Sequence, residues 1–254
     1  MSSKDLSSRV TNERVSSNDS DVYANAAKLH RRFSHVFECP NAVFADRLFK
    51  STLADIARDQ FVLEYGCFNG WSIPELAQCG PRGILGIDIS DRAIGEAKLN
   101  YGSIADFGVM DCHGLALADE SVDVVVGRAI LHHLEFDTAI REINRVLRPG
   151  GHALFVEPLR DNPAGRLLRL LTPGARTQEE QPLSRSQIRR ADRLFRESHH
   201  FFAGFASVGC GMMSSFVSRN PSNVLMRLAH RLDLKLAHSP LKWWMRMVVL
   251  CWKK

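Results

Sequence analysis

The alternation of short apolar runs with helical stretches, which starts at Phe61, constrains the fold more than any other feature of the sequence. The apolar runs are FVLEY, GILGID, FGVMD, VDVVVG and HALFVEP, and segments such as PELAQ and AIGEAKL lie between them. Strand and helix repeated four or five times predict a parallel sheet that is covered by helices on both faces. The clearest helix has its apolar stripe at 136, 140, 143 and 147 and ends at the Pro-Gly-Gly of 149–151. We therefore expect VDVVVG and HALFVEP to be neighbouring strands.

The regions on either side of this alternation are predicted to be mainly helical. Before it, residues 22–36 and 43–56 have apolar residues three and four apart, which is the spacing of amphipathic helices. After Pro158 we expect, in chain order, a Leu- and Arg-rich helix at 164–171, an Arg-rich helix at 184–198, a strand at 201–208 (FFAGFASV), a helix at 223–237 and a terminal strand within KWWMRMVVLCWKK.

Composition is that of an ordinary globular protein. The 254 residues are 45% hydrophobic and 24% charged, which argues against a disordered, collagen-like or coiled-coil chain. No window holds 18 uninterrupted apolar residues, so no transmembrane helix is expected. The first 20 residues contain seven Ser and no apolar stretch, which predicts a disordered tail at 1–21 rather than a signal peptide, and a cytoplasmic location. The six cysteines form no CxxC pair, which indicates reduced thiols and neither a disulfide framework nor a zinc knuckle.

The net charge of +5 is unevenly distributed along the chain. Residues 1–159 carry a net charge of −6, whereas residues 160–254 carry a net charge of +11. A basic region of this kind is typical of proteins that bind a nucleic acid or an anionic membrane surface. It is equally typical of ordinary helices with Arg on their solvated faces.

The run EYGCFNG, at the end of the first predicted strand, has the form of a nucleotide-binding turn. In α/β sheets ligands bind outside the carboxyl ends of the strands, and glycines in the first turn let the backbone approach the ligand. An NAD or FAD fingerprint would need glycines at 68 and 71, where this chain has Phe and Trp. The first three strands each end near an acid, namely Glu64, Asp88 and Asp111. Asp88 is placed to accept hydrogen bonds from the two ribose hydroxyls. Asp111 is placed to accept one from an exocyclic amine of a base, so the sequence predicts a nucleoside ligand.

In their order and spacing, EYGCFNG, GIDIS, VMDCHGLALADESVDVVV, LHHL and INRVLRPGGHALFVEP resemble the class I S-adenosylmethionine-dependent methyltransferases, in particular their UbiE-like small-molecule branch. The resemblance is strong over residues 60–160 and weaker outside them. It implies a Rossmann-like, doubly wound, mostly parallel seven-stranded sheet with N-terminal lid helices and a helical insertion after the fifth strand. Residues 22–254 would then form one domain, with lid helices at 22–58, a cofactor-binding core at 60–160, and a substrate-side insertion with closing strands at 161–254.

The resemblance also implies which residues surround S-adenosylmethionine. The implied cofactor-binding residues are Glu64, Gly66, Cys67, Phe68, Gly70, Asp88, Ile89, Asp111, Cys112 and Arg128. Within this set, Glu64 and the two glycines would shape the pocket for the methionine part, Asp88 would hold the ribose, and residues 111–112 would bracket the adenine. Arg128, at the end of the fourth strand, would line the cleft. The family usually has glycine where Phe68 stands, so either the loop moves outward or the ring packs over the cofactor.

Catalysis of this kind depends mainly on alignment, because a sulfonium is already a strong methyl donor and a base is needed only for a protonated acceptor. His132 and His133 follow the fourth strand at the mouth of the cleft, and His133 matches a position that resembles an active-site residue in some family members. Capping or packing is the alternative role for both. Weaker candidates are Tyr23, His30, His35, His199 and His200. No three ligands can be seen to converge, so no metal site is predicted.

The segments expected to face the acceptor are rich in Leu, Phe and Arg. The runs RLLRLLTP at 166–173 and LMRLAHRLDLKLAH at 225–238 combine apolar faces with cations, as interfacial helices do. With the basic C-terminal region, they favour a lipophilic acceptor, such as a lipid or a quinone-like, prenylated or polyketide molecule, and peripheral membrane contact. Amphipathic helices that simply pack on the sheet are the alternative.

Two other functions stay open at this point. The basic patches would suit an RNA or DNA methyltransferase, although no Asn/Asp-Pro-Pro-Tyr-like motif follows the fourth strand and no nucleic-acid module is recognisable. The other is a non-catalytic protein of the same fold that binds a partner through its basic face. Loss of S-adenosylmethionine binding would distinguish that protein from an enzyme.

Overall fold

The computed structural model of the chain describes residues 40–163, 181–217, 220 and 223–254. Three predicted features lie outside these residues: the tail at 1–21, the first lid helix at 22–36 with Tyr23, His30 and His35, and the Leu- and Arg-rich segment at 164–173.

Seven strands form one sheet in the order β3-β2-β1-β4-β5-β7-β6. They are β1 (Phe61–Tyr65), β2 (Gly83–Asp88), β3 (Asp106–Val109), β4 (Val122–Arg128), β5 (Leu147–Pro158), β6 (Glu197–Ala203) and β7 (Met247–Lys253). The pairs among β1 to β5 are parallel, whereas β7 pairs antiparallel with both β5 and β6. The predicted seven-stranded, mostly parallel sheet is therefore confirmed, and so is the pairing of β4 with β5.

Helices cover both faces of the sheet. In the described residues they are α1 (Pro40–Ala57), α2 (Ile73–Gln78), α3 (Asp91–Tyr101), α4 (Phe136–Val146), α5 (Arg185–Asp192), α6 (Ala206–Val217) and α7 (Val224–Leu236), with 3-10 turns at Leu131–His133 and Pro240–Trp244. Phe49 of α1 and Ile94 of α3 belong to the core on one face, and Ile140 of α4 and Ile188 of α5 to the core on the other. This double cover explains why β4 is a nearly unbroken apolar run. Each described helix is too short or too polar to cross a membrane.

The parallel strands bring their carboxyl ends to one edge of the sheet. Glu64 of β1 lies opposite Gly86 of β2 and Val126 of β4. The turn after β1 therefore lies between the loops that follow β2 and β4, at the point where the strand order reverses. Open α/β sheets bind their ligands at this switch point.

The region after β5 differs from the prediction in where its strands fall. The Arg-rich helix ends at Asp192, and the strand predicted at 201–208 instead covers Glu197–Ala203. Gly204, with a φ of 89°, follows the strand, and the next segment, ASVGCGMMSSFV, is helix α6. The terminal strand begins only at Met247, after a 3-10 turn. Only some side chains of an edge strand are buried, so β6 contains polar residues as well as apolar ones. Its sequence pattern therefore did not distinguish the start of a strand from the end of a helix.

Candidate functional site

Two glycines in the turn after β1 have no space for a side chain. Gly66 has a φ of 71° and Gly70 a φ of 78°, which is the left-handed region that favours glycine. A Cβ at position 66 would stand 2.5 Å from Cδ1 of Ile130, and one at position 70 would stand 2.9 Å from Cδ2 of Tyr101. The backbone of the turn thus packs directly against the loop after β4 and against α3.

Replacing Gly66 by alanine is expected to destabilise the protein by about 2–4 kcal/mol, through the left-handed backbone and the overlap with Ile130. Gly80 is the matched control, because its φ is 70° and no atom lies within 4 Å of the place that a Cβ would take. Gly80→Ala should therefore cost only about 1–2 kcal/mol. Urea unfolding measures both changes, and equal losses for the two variants would contradict the close packing of the turn.

Phe68 adopts a left-handed conformation in the same turn. Its φ is 49°, which is unfavourable for a bulky residue. Its N–H donates to Oδ2 of Asp88 at 2.9 Å, and its side chain is 44% exposed. The turn therefore keeps its bond to β2 while the ring stays at the surface. Trp71 and Ile89 are also exposed, so three apolar side chains stand at this edge.

Glu64 is a buried carboxyl group with one unpaired oxygen. The hydroxyl of Ser72 donates to its Oε1, whereas Oε2 has no hydrogen-bond partner among the described residues. Burial raises the pKa of Glu64 to about 7, although the bond from Ser72 and the charge of Arg128 act in the opposite direction. Oδ1 of Asn69, in the following turn, is likewise buried without a partner. When Glu64 is ionised, its Oε2 and Oδ1 of Asn69 are two buried acceptors that lack donors, which suits a ligand that brings N–H groups.

The raised pKa makes stability depend on pH. Folded Glu64 keeps its proton up to about pH 7, whereas in the unfolded chain the pKa is near 4.5. Between these values the folded state binds more protons, so the free energy of unfolding falls as the pH rises. We expect Glu64→Gln to be more stable than the unchanged protein at about pH 8, by up to about 3 kcal/mol, and close to it at about pH 5. Urea unfolding at both pH values measures this, and a difference independent of pH would contradict it.

Asp88 ends β2 and has a fixed orientation. Its Oδ2 accepts from the N–H of Phe68 and its Oδ1 from the N–H of Ser90, both at 2.9 Å. A carboxylate oxygen accepts more than one hydrogen bond. Asp88 is thus held between two turns and can still accept from the hydroxyls of a ligand.

The loop after β3 places Asp111 and Cys112 in different surroundings. Oδ1 of Asp111 accepts from the N–H of His113 at 2.8 Å and lies 2.7 Å from its Nδ1. The backbone bond is the main cause of the lowered pKa of Asp111. Nε2 of His113 accepts from the N–H of Glu135 at 2.9 Å, so Nδ1 carries the proton. Asp111 is 56% exposed, whereas Cys112 is buried and its thiol pKa is raised to about 12 by that burial.

Arg128, at the end of β4, pairs with carboxylates of two helices. Its guanidinium donates to Asp46 of α1 at 3.0 Å and to Glu75 of α2. Lys50 bridges the same two acids, at 2.9 and 3.2 Å. The guanidinium also lies 4.0 Å from the centre of the Phe49 ring. This network ties α1 to the carboxyl edge of the sheet.

His132 and His133 lie in the 3-10 turn after β4 and differ in exposure. Nδ1 of buried His132 lies 2.7 Å from Oε2 of Glu157, which is fully buried at the end of β5. Oε1 of Glu157 accepts from the N–H groups of Ile130 and Leu131, at 2.9 and 2.8 Å. His133 is exposed, and the centre of its ring lies 4.1 Å from the centre of the His132 ring. His132 thus fastens the loop to β5, and His133 faces outward.

The carboxyl edge brings together the cofactor residues expected from the sequence, because they lie on adjacent β1, β2 and β4, on neighbouring β3 and on their loops. Cys67 is buried, and its N–H donates to the carbonyl of Ile87 at 2.8 Å. His199 and His200 lie on β6, which β5 and β7 separate from β4, so the structure does not place them at this site.

Several residues that shape the site were not predicted from the sequence. They are Asp46, Lys50, Asn69, Ser72, Glu75, His113 and Glu157. The i, i+4 spacing of Asp46 and Lys50 on a predicted helix was the one signal for that ion pair. The contacts of Lys50 with Glu75 and of His132 with Glu157 each join residues 25 positions apart, and local patterns do not show them.

The topology, the glycine turn and the strand-end acids define an α/β domain of the Rossmann-like class. Residues 63–155 match the family model described as a methyltransferase domain. The chain is 29% identical over 129 residues to the O-methyltransferase cnsE of Penicillium expansum, covering 48% of this chain and 47% of that protein. It is 27% identical over 151 residues to the demethylmenaquinone methyltransferase of Staphylococcus aureus, covering 54% and 63%.

Among solved structures, an S-adenosylmethionine-dependent methyltransferase from Mesorhizobium loti superposes with a TM-score of 0.53 at 16% identity, covering 82% of this chain and 96% of that one. The chain spans about half the length of cnsE and less than two thirds of the menaquinone enzyme. These comparisons show similarity to a methyltransferase domain over residues 63–155, and a fold shared with a methyltransferase whose cofactor is S-adenosylmethionine.

The residues at the carboxyl edge fit this cofactor. Glu64 and Asn69 each have a buried oxygen that lacks a donor, and the amino group of the cofactor would supply donors to both. Gly66 and Gly70 leave the two ends of the turn without side chains, and the Asp88 carboxylate is oriented for ribose hydroxyls.

Proposed function

We propose that this protein transfers a methyl group from S-adenosylmethionine to an oxygen, nitrogen or carbon atom of a small, hydrophobic acceptor. The observation that carries the proposal is the Asp88 carboxylate, held by two backbone N–H groups beside a turn whose two glycines have no space for a side chain. A small-molecule acceptor is supported by the two relatives, of which one is an O-methyltransferase and the other a demethylmenaquinone methyltransferase. The second of these also supports the UbiE-like branch.

Each part of the cofactor has its own residues in this proposal. The amino group of the methionine part bonds to Glu64 and Asn69, whose buried oxygens lack donors. The ribose hydroxyls bond to Asp88, next to the exposed side chain of Ile89. The exocyclic amine of the adenine would bond to Asp111, which His113 holds in place, next to the buried side chain of Cys112.

When bound, S-adenosylmethionine supplies a methyl group on a positively charged sulfur. The chain therefore has to align the acceptor with that group and to exclude water, and alignment alone lowers the barrier by several kcal/mol. The exposed rings of Phe68 and Trp71 give an apolar acceptor a surface beside the cleft. Where the acceptor carries a proton, exposed His133 takes it, and His132, fixed by Glu157, positions the turn.

Calorimetric titration of the purified chain with S-adenosylmethionine, S-adenosylhomocysteine and NAD tests the cofactor. We expect both sulfur nucleosides to bind and NAD not to bind. Transfer of a radiolabelled methyl group into lipophilic extracts then tests the acceptor, with transfer into total RNA as the comparison. Absence of cofactor binding would overturn the proposal in favour of a non-catalytic protein of this fold, and transfer into RNA alone would overturn the small-molecule acceptor.

A lipophilic acceptor fits a protein that contacts a membrane surface, and helix α7 has a suitable face. Leu225, Leu228 and Leu232 are exposed at helical spacing, with side chains 42–55% exposed. Three cations of the same helix, Arg227, Arg231 and Lys235, are exposed as well. An apolar stripe beside cations is typical of helices that lie in the interface of an anionic membrane.

Cosedimentation with vesicles of phosphatidylglycerol and phosphatidylcholine tests this contact. Leu228→Ser with Leu232→Ser should weaken vesicle binding by about tenfold or more, since two leucines lose their apolar contact with lipid. Leu99→Ser is the matched control, because Leu99 is 88% exposed on α3. Equal binding by the double variant and the control would exclude α7 as the contact.

A further inference from the structure

The outer strand of the sheet borders a cavity that the proposed methyl transfer does not use. This cavity, termed here the edge cavity, has a volume of about 600 Å³. The residues that line it include Arg185, Arg189, His200, Phe202, Lys242 and Trp243. Its walls come from α5, β6 and the 3-10 turn at Pro240–Trp244. Three strands separate β6 from β1, which is about 19 Å at the usual strand spacing. The edge cavity is thus distinct from the nucleoside site.

The edge cavity carries an excess of positive charge. In the described residues, Arg185, Arg189 and Lys242 make no ion pair with a carboxylate. The acid of the cavity wall, Asp192, accepts from Nε1 of Trp252 at 2.9 Å and lies 2.8 Å from Nε2 of His200. Its charge is therefore engaged within the wall, and three cations are left to face the cavity.

Aromatic rings lie directly beneath two of these cations. The guanidinium of Arg185 lies 5.3 Å from the centre of the Trp243 ring. The ammonium of Lys242 lies 5.1 Å from the centre of the Phe202 ring and 5.6 Å from that of Trp243. Such contacts hold cationic side chains over a ring. These side chains therefore lose less conformational entropy when a ligand binds to them. The cavity thus combines charged groups with an apolar floor.

His200 adds a buried polar atom that lacks a partner. Its side chain is 10% exposed, and its Nε2 is bound to Asp192. Its Nδ1 is buried without a hydrogen-bond partner among the described residues. Buried polar atoms in folded proteins nearly always have a partner, so an orphaned one in a cavity wall indicates a missing bond. Because Nε2 donates to Asp192, Nδ1 of the neutral ring is an acceptor, and a phosphate hydroxyl in the cavity would donate to it.

We propose that the edge cavity binds a phosphorylated small molecule with an aromatic or other apolar part. The phosphate pairs with Arg185, Arg189 and Lys242, and the apolar part lies against Trp243 and Phe202. Cavities of this size hold drug-sized ligands, and guanidinium groups bind phosphate through two parallel hydrogen bonds. The inference goes beyond methyl transfer, because the edge cavity shares no residue with the nucleoside site.

Calorimetric titration with phenyl phosphate, inorganic phosphate and benzyl alcohol tests the proposal. We expect phenyl phosphate to bind more tightly than inorganic phosphate, and benzyl alcohol to bind undetectably. Arg185→Gln and Lys242→Gln should each weaken phenyl phosphate binding about tenfold, the usual effect of losing one charge-assisted bond. Arg193→Gln is the matched control, because Arg193 is an exposed cation that directly follows α5 as its C-cap and does not line the cavity.

Further measurements separate the sources of phosphate and the two sites. Vesicles of phosphatidylglycerol, added in competition, show whether a lipid headgroup displaces phenyl phosphate or a free metabolite is required. Titration of each variant with S-adenosylmethionine should give unchanged binding, so failure of the edge cavity and failure of the nucleoside site are distinguishable. Absence of saturable phenyl phosphate binding, or an equal loss in Arg193→Gln, would overturn the proposal.

Discussion

Asp88→Ala is expected to weaken S-adenosylmethionine binding at least about 100-fold. The variant loses the carboxylate that orients the ribose, and each hydrogen bond to a charged group contributes about 1.5–3 kcal/mol. It also leaves the N–H groups of Phe68 and Ser90 without their acceptor, so the glycine turn and the start of α3 lose a common anchor. Calorimetric titration with the cofactor measures the effect.

Two further variants separate the lost ligand contact from a loosened turn. Asp88→Asn keeps one acceptor oxygen and should bind more tightly than Asp88→Ala. Asp106→Ala removes an exposed acid from the start of β3, at the opposite edge of the sheet, and should bind the cofactor like the unchanged protein. If Asp88→Ala bound within about threefold of the unchanged protein, this carboxylate would not hold the ribose.

Glu157→Ala should lower the free energy of unfolding by about 3–5 kcal/mol, because it leaves three donors, two of them buried, without an acceptor. Those donors are the N–H groups of Ile130 and Leu131 and the ring of His132. Urea unfolding measures the loss. Glu197→Ala, at a 45% exposed carboxylate on β6, is the control and should change stability by less than about 0.5 kcal/mol. A loss below about 1 kcal/mol for Glu157→Ala would show that this carboxylate does not secure the loop.

Glu157→Gln distinguishes the two roles of His132. The amide oxygen still accepts from the two N–H groups, so this variant should lose only about 1 kcal/mol. If His132 only positions the turn, the pH dependence of methyl transfer should stay unchanged in Glu157→Gln. If His132 were itself the base, loss of the carboxylate beside it would shift that dependence. In that case His133→Asn would leave the rate of methyl transfer near that of the unchanged protein.

Much of the fold could be predicted from local patterns. The apolar runs at β1, β2 and β4 are continuous because both faces of each strand are buried, and such runs are visible in the sequence. Helix α4 was equally clear, since its buried residues recur at helical spacing and its end is followed by Pro-Gly-Gly. Strand β6 was misplaced by several residues, because an edge strand buries fewer side chains and has a weaker pattern.

For the site, the sequence by itself determined the glycine turn, the strand-end acids and the two histidines after β4. These features are visible because each lies where an apolar run ends. Only the tertiary structure decided that Arg128 pairs with α1 and α2, that His132 is buried on Glu157, and that Glu64 has a pKa near 7. The physical reason is that burial, ion pairing and orphaned hydrogen-bonding atoms depend on segments brought together from distant parts of the chain. No local pattern of residues encodes them.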